Sequence, residues 1–273
     1  MRVERRGLLD AASDDPSTGL GSKAGEVGHH GGSAEVDAHR VVLDVGCGSG
    51  ATTLAAADRA ERVVGVDLSQ PLVELARRRA QAAAIDNAEF VIADAQTHDF
   101  AAGTFDLLIS QFGLMFFDDP VRAFTNIRGS LSAGGRAVPI SWQGLHANEW
   151  LMLIGEAVTR HVELPEFGGQ AGGPGMFALS EPAEITTLLS AAGFENVECD
   201  SFTPTIVLGG GGSFDDSIDF LLGMGMARGL LGLVEPSVRD DVVRTVHAEL
   251  VDRYEVGVGV RLGAAAWVVT AGA

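Results

Sequence analysis

Past residue 40, apolar and polar positions settle into two alternating rhythms. Short runs rich in Val, Ile and Leu recur at 41–45, 62–66, 88–92, 105–110 and 135–141. Runs of this length and composition suit strands buried on both faces. Between them lie stretches with helical spacing, an alanine-rich one at 50–59, "QPLVELARRRAQAAA" at 70–84 and "PVRAFTNIRGSL" at 120–131. Ser69 marks the start of the second as an N-cap, with Pro71 in its first turn. Strand and helix in alternation predict right-handed crossovers and an α/β, Rossmann-like, doubly wound sheet. Ligands of such a sheet bind at the carboxyl ends of its strands.

Beyond 142 the rhythm loosens. A helix is expected near 147–162, then a glycine-rich loop at 166–180 and a helix at 181–193, with Ser180 as N-cap, Pro182 in its first turn and Gly193 at its stop. A strand near 195–207 leads to "GGGGS" (209–213), a hinge or exposed loop. Two more helical patterns run to about 256, and 261–271 reads as a terminal strand. The expected organisation is a flexible leader, 1–40, followed by one domain, 41–273, with helical cap insertions near 142–180 and 209–256. The leader holds no Phe, Trp or Tyr and has little to pack with. Its His29 and His30 lack acidic or cysteine partners at ligand spacing, so no metal is expected.

Composition narrows the function class. The chain has 273 residues, 46% of them hydrophobic, enough for one large domain with a substantial core. Its 37 acidic residues outnumber 19 basic ones, and the net charge of −18 repels nucleic acid. Two cysteines, Cys47 and Cys199, make neither a disulfide framework nor a zinc cluster, and fit reduced thiols in a cytoplasmic protein. The longest apolar stretch, 220–234, carries Arg228 and is too short to span a bilayer. No signal-peptide core is recognisable. The expectation is a soluble monomer or homodimer; "GMARG" (225–229) suits a close-packed core helix or a dimer face.

Candidate chemistry concentrates where strands meet helices. In "VVLDVGCGSG", Gly46 permits a tight turn, Gly48 a close ligand approach and Gly50 close helix packing. The following helix start offers unpaired N–H groups, and no Gly-Lys-Ser/Thr follows, which excludes a P-loop. Asp67 ends the second strand at the same sheet edge, where its carboxylate either accepts two ribose hydroxyls or caps the next helix. Asp94, at the end of the third strand, suits an adenine amino group, with the Ala95 N–H toward a ring nitrogen; a simple turn aspartate is the alternative. Ser110 to Gly113 form the tip of the fourth strand, and Phe112, Met115, Phe116 and Phe117 an apolar patch, either core or substrate wall. The glycine pattern, with Ala51 following, also admits NAD. Asp44 decides against it, since its charge would repel a pyrophosphate and favour an amino group or sulfonium.

Together "VLDVGCGSG", "VVGVDLS", "FVIADAQ" and "FDLLISQFGLMFFDDPVRAFTNIRGSLSAGGRAV", over 41–141, resemble the class I S-adenosylmethionine-dependent methyltransferases. They are most similar to the branch with the ubiquinone/menaquinone-biosynthesis methyltransferases and many small-molecule tailoring enzymes. The resemblance implies seven strands, the last antiparallel. It implies that Asp44 and Gly46, Cys47, Gly48, Ser49 and Gly50 hold the methionine portion of S-adenosyl-L-methionine. Asp67 would hold the ribose, Asp94 and Ala95 the adenine, Ser110 would contribute from beneath, and Leu68 is a further cofactor-binding candidate. Family members usually close an aromatic N-terminal helix over the cofactor, whereas here the first aromatic is Phe90.

The expected reaction is methyl transfer to a small, hydrophobic acceptor. The alternatives are a non-methylating use of the cofactor, such as cyclisation, and non-catalytic binding. His146 is the candidate base, with a surface-loop histidine as the plainer reading. Phe112, Met115, Trp142 and Trp150 are candidate substrate-lining residues.

Overall fold

The computed structural model describes residues 40–163 and 173–273. Apart from its last residue, Arg40, the expected leader with its two histidines lies outside them, as does part of the loop expected at 166–180. The described chain divides into two compact units, which take up 40–142, 173–200 and 267–273 on one side and 143–163 and 201–266 on the other.

The first unit is built on a seven-stranded sheet. Its strands are β1 (Val41–Val45), β2 (Arg62–Asp67), β3 (Ala88–Ile92), β4 (Phe105–Gln111), β5 (Leu131–Trp142), β6 (Glu195–Phe202) and, as defined below, β10 (Ala266–Gly272). The order is β3-β2-β1-β4-β5-β10-β6, mostly parallel, with the last strand of the chain antiparallel as expected. Parallel register runs from Asp44 opposite Gly65 and from Leu43 opposite Leu108, so the carboxyl ends of β1, β2 and β4 share one edge. Helices α1 (Ala51–Ala57), α2 (Gln70–Ala82), α3 (Pro120–Ser130) and α5 (Pro182–Ala191) belong to this unit. Leu43, Val63, Ile109 and Val138 are completely buried in the sheet, alongside Val73 and Ala76 of α2 and Phe124 and Ile127 of α3.

Local signals place most starts correctly, but two expected caps act differently. Ser69 stands at the N-cap of α2 without a side-chain cap bond; its N–H donates instead to Asp67 Oδ1 at 2.8 Å. Ser180 lies before the N-cap of α5, which is Glu181, and its carbonyl accepts the Trp267 indole N–H at 2.6 Å. Gly193, at φ +90, ends that helix as expected.

The second unit holds α4 (Glu149–Thr159), α6 (Phe214–Gly223), α7 (Gly225–Gly232), α8 (Pro236–Leu250) and an antiparallel sheet of β7 (Thr205–Val207), β9 (Gly259–Gly263) and β8 (Tyr254–Glu255). Two expected strands are divided in two. The run at 195–207 breaks at Pro204, which has no N–H for a ladder. The terminal run breaks at Ala264 and Ala265, whose N–H groups leave the ladder for Pro204 O and Asn148 Oδ1. The result is β9 in one sheet and β10 in the other. Three helices replace the two expected patterns because Met224 is extended (φ −67°, ψ 145°) and interrupts the run. Asn148, fully buried, ties this unit together by donating to Gln143 O and Gly144 O while accepting from Ala265 N–H. No helix among the described residues is long and apolar enough to cross a membrane.

Candidate functional site

The glycine loop after β1 is held by the end of β2. Gly46 and Cys47 N–H both donate to Val66 O, at 2.8 and 3.1 Å, and Gly48 N–H donates to Asp67 Oδ2 at 2.8 Å. With Ser69 N–H on Oδ1, each oxygen of Asp67 carries one backbone donor. A carboxylate has about four lone-pair sites, so both oxygens keep capacity for further donors such as paired hydroxyls. The carboxylate thus caps the Ser69 N–H at the start of α2 and still has room for a ligand's donors.

Gly46 and Gly48 do different work. Gly46 sits at φ +73, and a Cβ there would lie 2.6 Å from Gly113 Cα. The first glycine thus admits the β4 tip against the loop. At Gly48 (φ +52) an added Cβ would meet nothing within 4 Å, so its backbone faces open space. Replacing Gly46 with Ala combines a left-handed backbone with a backbone clash; the expected loss is about 2–4 kcal/mol of folding stability, read by urea denaturation.

Gly113 is delivered by a strained turn. Phe112 has φ +63, a conformation costing a bulky residue roughly 1–3 kcal/mol. Its N–H donates to Ile140 O at 3.0 Å, and its ring stacks on Trp142 at 3.9 Å and 4°. Strand end, stack and hydrogen bond together fix the turn. Ser110, fully buried, accepts the Gly113 N–H at 3.3 Å.

Asp44 is the electrostatic centre. It is completely buried, and both Thr52 Oγ1 (2.5 Å) and Thr53 Oγ1 (2.6 Å) donate to its Oδ2, while Oδ1 has no partner. Burial pushes its carboxyl up to about 6, against the pull of the two threonine hydroxyls, and the charge of Asp67 adds to the rise. Burial likewise raises the Cys47 thiol, with Asp44 and Asp67 contributing in the same sense. Two carboxylates thus flank the glycine loop close enough to feel one another, and the loop lies in a negative potential. Thr52 and Thr53 escaped the sequence reading. The signal was two hydroxyls in the first turn after the glycines. Gly65 is their counterpart on β2, where a Cβ would lie 2.8 Å from Thr53 Oγ1.

The remaining candidates separate. Leu68, 71% exposed, projects from the same edge as Asp67, an apolar side chain left uncovered beside a polar site. Asp94 Oδ1 accepts the Gln96 N–H at 2.9 Å, so the turn role exists, and Oδ2 remains over. Ala95 is buried, its carbonyl held by Asn126 Nδ2 at 2.9 Å. Ser49 accepts from Arg79 through both Oγ and its carbonyl. Met115 is buried just past the β4 tip. Trp150 is buried within the second unit, its indole N–H on Asn148 Oδ1. His146 is exposed on the short turn Leu145–Ala147 of that unit. No group of metal-ligating side chains occurs among the described residues.

Residues 43–138 match the methyltransferase domain family. An aklanonic acid methyltransferase of a Streptomyces species is 33% identical over 134 residues, covering 46% of this chain and 60% of that protein. A demethylmenaquinone methyltransferase of Thermus thermophilus is 29% identical over 164 residues, 56% of this chain and 73% of that protein. The solved phosphoethanolamine N-methyltransferase 2 of Haemonchus contortus, in complex with phosphomonomethylethanolamine and S-adenosylhomocysteine, superimposes with a TM-score of 0.52 at 18% identity, over 86% of this chain and 49% of that one. The chain spans 60% of the length of the aklanonic acid enzyme. The resemblance drawn from the motifs, the fold and the cofactor class are borne out.

Proposed function

We propose that this chain, which carries a methyltransferase domain at 43–138 and takes S-adenosylmethionine as cofactor, transfers a methyl group to a small, largely apolar metabolite. One observation carries the reading of the site: a buried carboxylate with an unpaired oxygen, raised to about 6, lies beside a second carboxylate and an open glycine backbone. Such a site favours a ligand that brings positive charge. NAD, with a pyrophosphate, would meet repulsion there.

The cofactor, when bound, supplies an electrophilic methyl group on a sulfonium. The chain's residues bind and orient it. Asp67 accepts ribose hydroxyls with the lone pairs left after Gly48 and Ser69, and Leu68 gives an apolar surface beside them. Asp94 and Ala95 serve the adenine. The Gly46–Gly50 loop, with Cys47 and Ser49, runs along the methionine portion, and Ser110 fixes the β4 tip beneath. Asp44, fully enclosed, acts through its field rather than by contact. Alignment and exclusion of water then account for most of the rate. Relatives named for aklanonic acid and demethylmenaquinone support a small organic acceptor.

Asp44 gives the site a pH signature. A cation is attracted only by the ionised form, so cofactor affinity should be flat above about pH 7 and fall as pH drops through about 6. Calorimetry between pH 5 and 8 reads this; an affinity flat down to pH 5 rules Asp44 out. The activity itself is tested by incubating the chain with methyl-labelled S-adenosylmethionine and a metabolite extract. Label in an organic-extractable product supports the proposal. Cofactor binding with no transferred label points to one of the non-methylating readings.

A further inference from the structure

A cavity of about 370 Å³ opens beside the β4 tip, lined by Leu114, Met115, Phe117, Leu179 and Leu188, with Glu184 at its edge. Its volume falls within the range of roughly 300–1,000 Å³ of pockets that take small organic ligands. The strap at 173–180 that forms one side is pinned at both ends. Gly175 N–H donates to Met115 O at 2.9 Å, and the Trp267 indole N–H donates to Ser180 O at 2.6 Å. Leu114 and Met115 in its wall follow directly on Gly113, which lies against Gly46 of the glycine loop. Its wall is thus continuous in sequence with the β4 tip, at the carboxyl edge where the cofactor is read to lie.

Its polar groups are few. The Thr187 hydroxyl already donates to Ala183 O at 2.7 Å, whereas Glu184, exposed in the first turn of α5, presents a carboxylate, which only accepts. We infer that this cavity seats the body of the methyl acceptor, a mostly hydrocarbon small molecule carrying a hydrogen-bond donor toward Glu184. The inference rests on the methyl-transfer reading for the word acceptor, and on the cavity alone for the ligand class.

N-phenyl-1-naphthylamine, a neutral fluorescent ring system with one N–H donor, is the probe. It is titrated into the full chain with and without S-adenosylhomocysteine. Ala183 and Thr187 both line the cavity from exposed positions on α5, so Ala183→Phe and Thr187→Trp fill it without entering the core. Wild type should bind the probe, each variant about tenfold or more weakly, and S-adenosylhomocysteine affinity should stay within about twofold. Absence of probe binding by wild type, or equal binding by both variants, overturns the inference and leaves the methyl-transfer reading standing. Probe binding lost in the variants while no form binds S-adenosylhomocysteine keeps the cavity and sinks the methyl-transfer reading.

Discussion

Relative to the wild type, an Asp44→Asn variant should gain roughly 3 kcal/mol of stability as pH rises from 4 to 8, and should bind S-adenosylmethionine about tenfold more weakly. The stability half follows from linkage. The Asp44 carboxyl titrates at about 6 in the folded chain, raised first of all by burial, and near 3.9 when unfolded. A raised carboxylate is a cost, absent at low pH. Between about pH 4 and 6 the unfolded chain releases its proton while the folded chain retains it, so wild-type stability falls, by roughly 3 kcal/mol in all. Asparagine keeps an oxygen for Thr52 and Thr53 and carries no charge. It leaves an amide N–H₂ without a partner, which returns about 1–3 kcal/mol. The slope with pH is therefore the clean readout, from urea unfolding at pH 4, 6 and 8. Parallel curves for the two proteins would show that Asp44 does not titrate between those limits. The binding half tests why so costly a residue is there: 5′-methylthioadenosine, which has neither ammonium nor sulfonium, should bind both forms within about twofold.

Asp67→Ala should weaken S-adenosylmethionine binding about thirty- to a hundred-fold, equivalent to roughly 2–3 kcal/mol. Two losses combine. The hydroxyl acceptors go, and so does the tie from Gly48 N–H to the end of β2, which holds the glycine loop open. Ser69 N–H at the start of α2 loses its acceptor as well, so a small drop in stability accompanies the change. Unlike the Asp44 variant, this one should weaken 5′-methylthioadenosine by the same factor, because that molecule keeps the ribose. Calorimetry on the pair of ligands separates the two aspartates. An unchanged dissociation constant in Asp67→Ala removes the ribose assignment.

Much of this site could be read in the one-dimensional pattern, and the reason is local. A strand buried on both faces must be a short apolar run, and a crossover must alternate it with helix. Once β1, β2, β3 and β4 are placed, Asp44, Asp67, Asp94 and Ser110 fall at or beside strand ends by counting alone. The glycines declare themselves too, because left-handed backbone and close approach exclude other residues at Gly46. Tertiary structure decided what depends on partners distant in sequence. Thr52 and Thr53 clamp Asp44 from eight and nine residues away, and burial, which no residue carries in its own identity, sets its titration. The strained Phe112 turn is fixed by Trp142 on a neighbouring strand. Ala264 and Ala265 divide the terminal run because Pro204 and Asn148 capture their N–H groups, and β10 then takes its place between β5 and β6. Periodicity records which face a residue turns to the core, while the identity of the neighbour it meets there is settled only when the chain closes on itself.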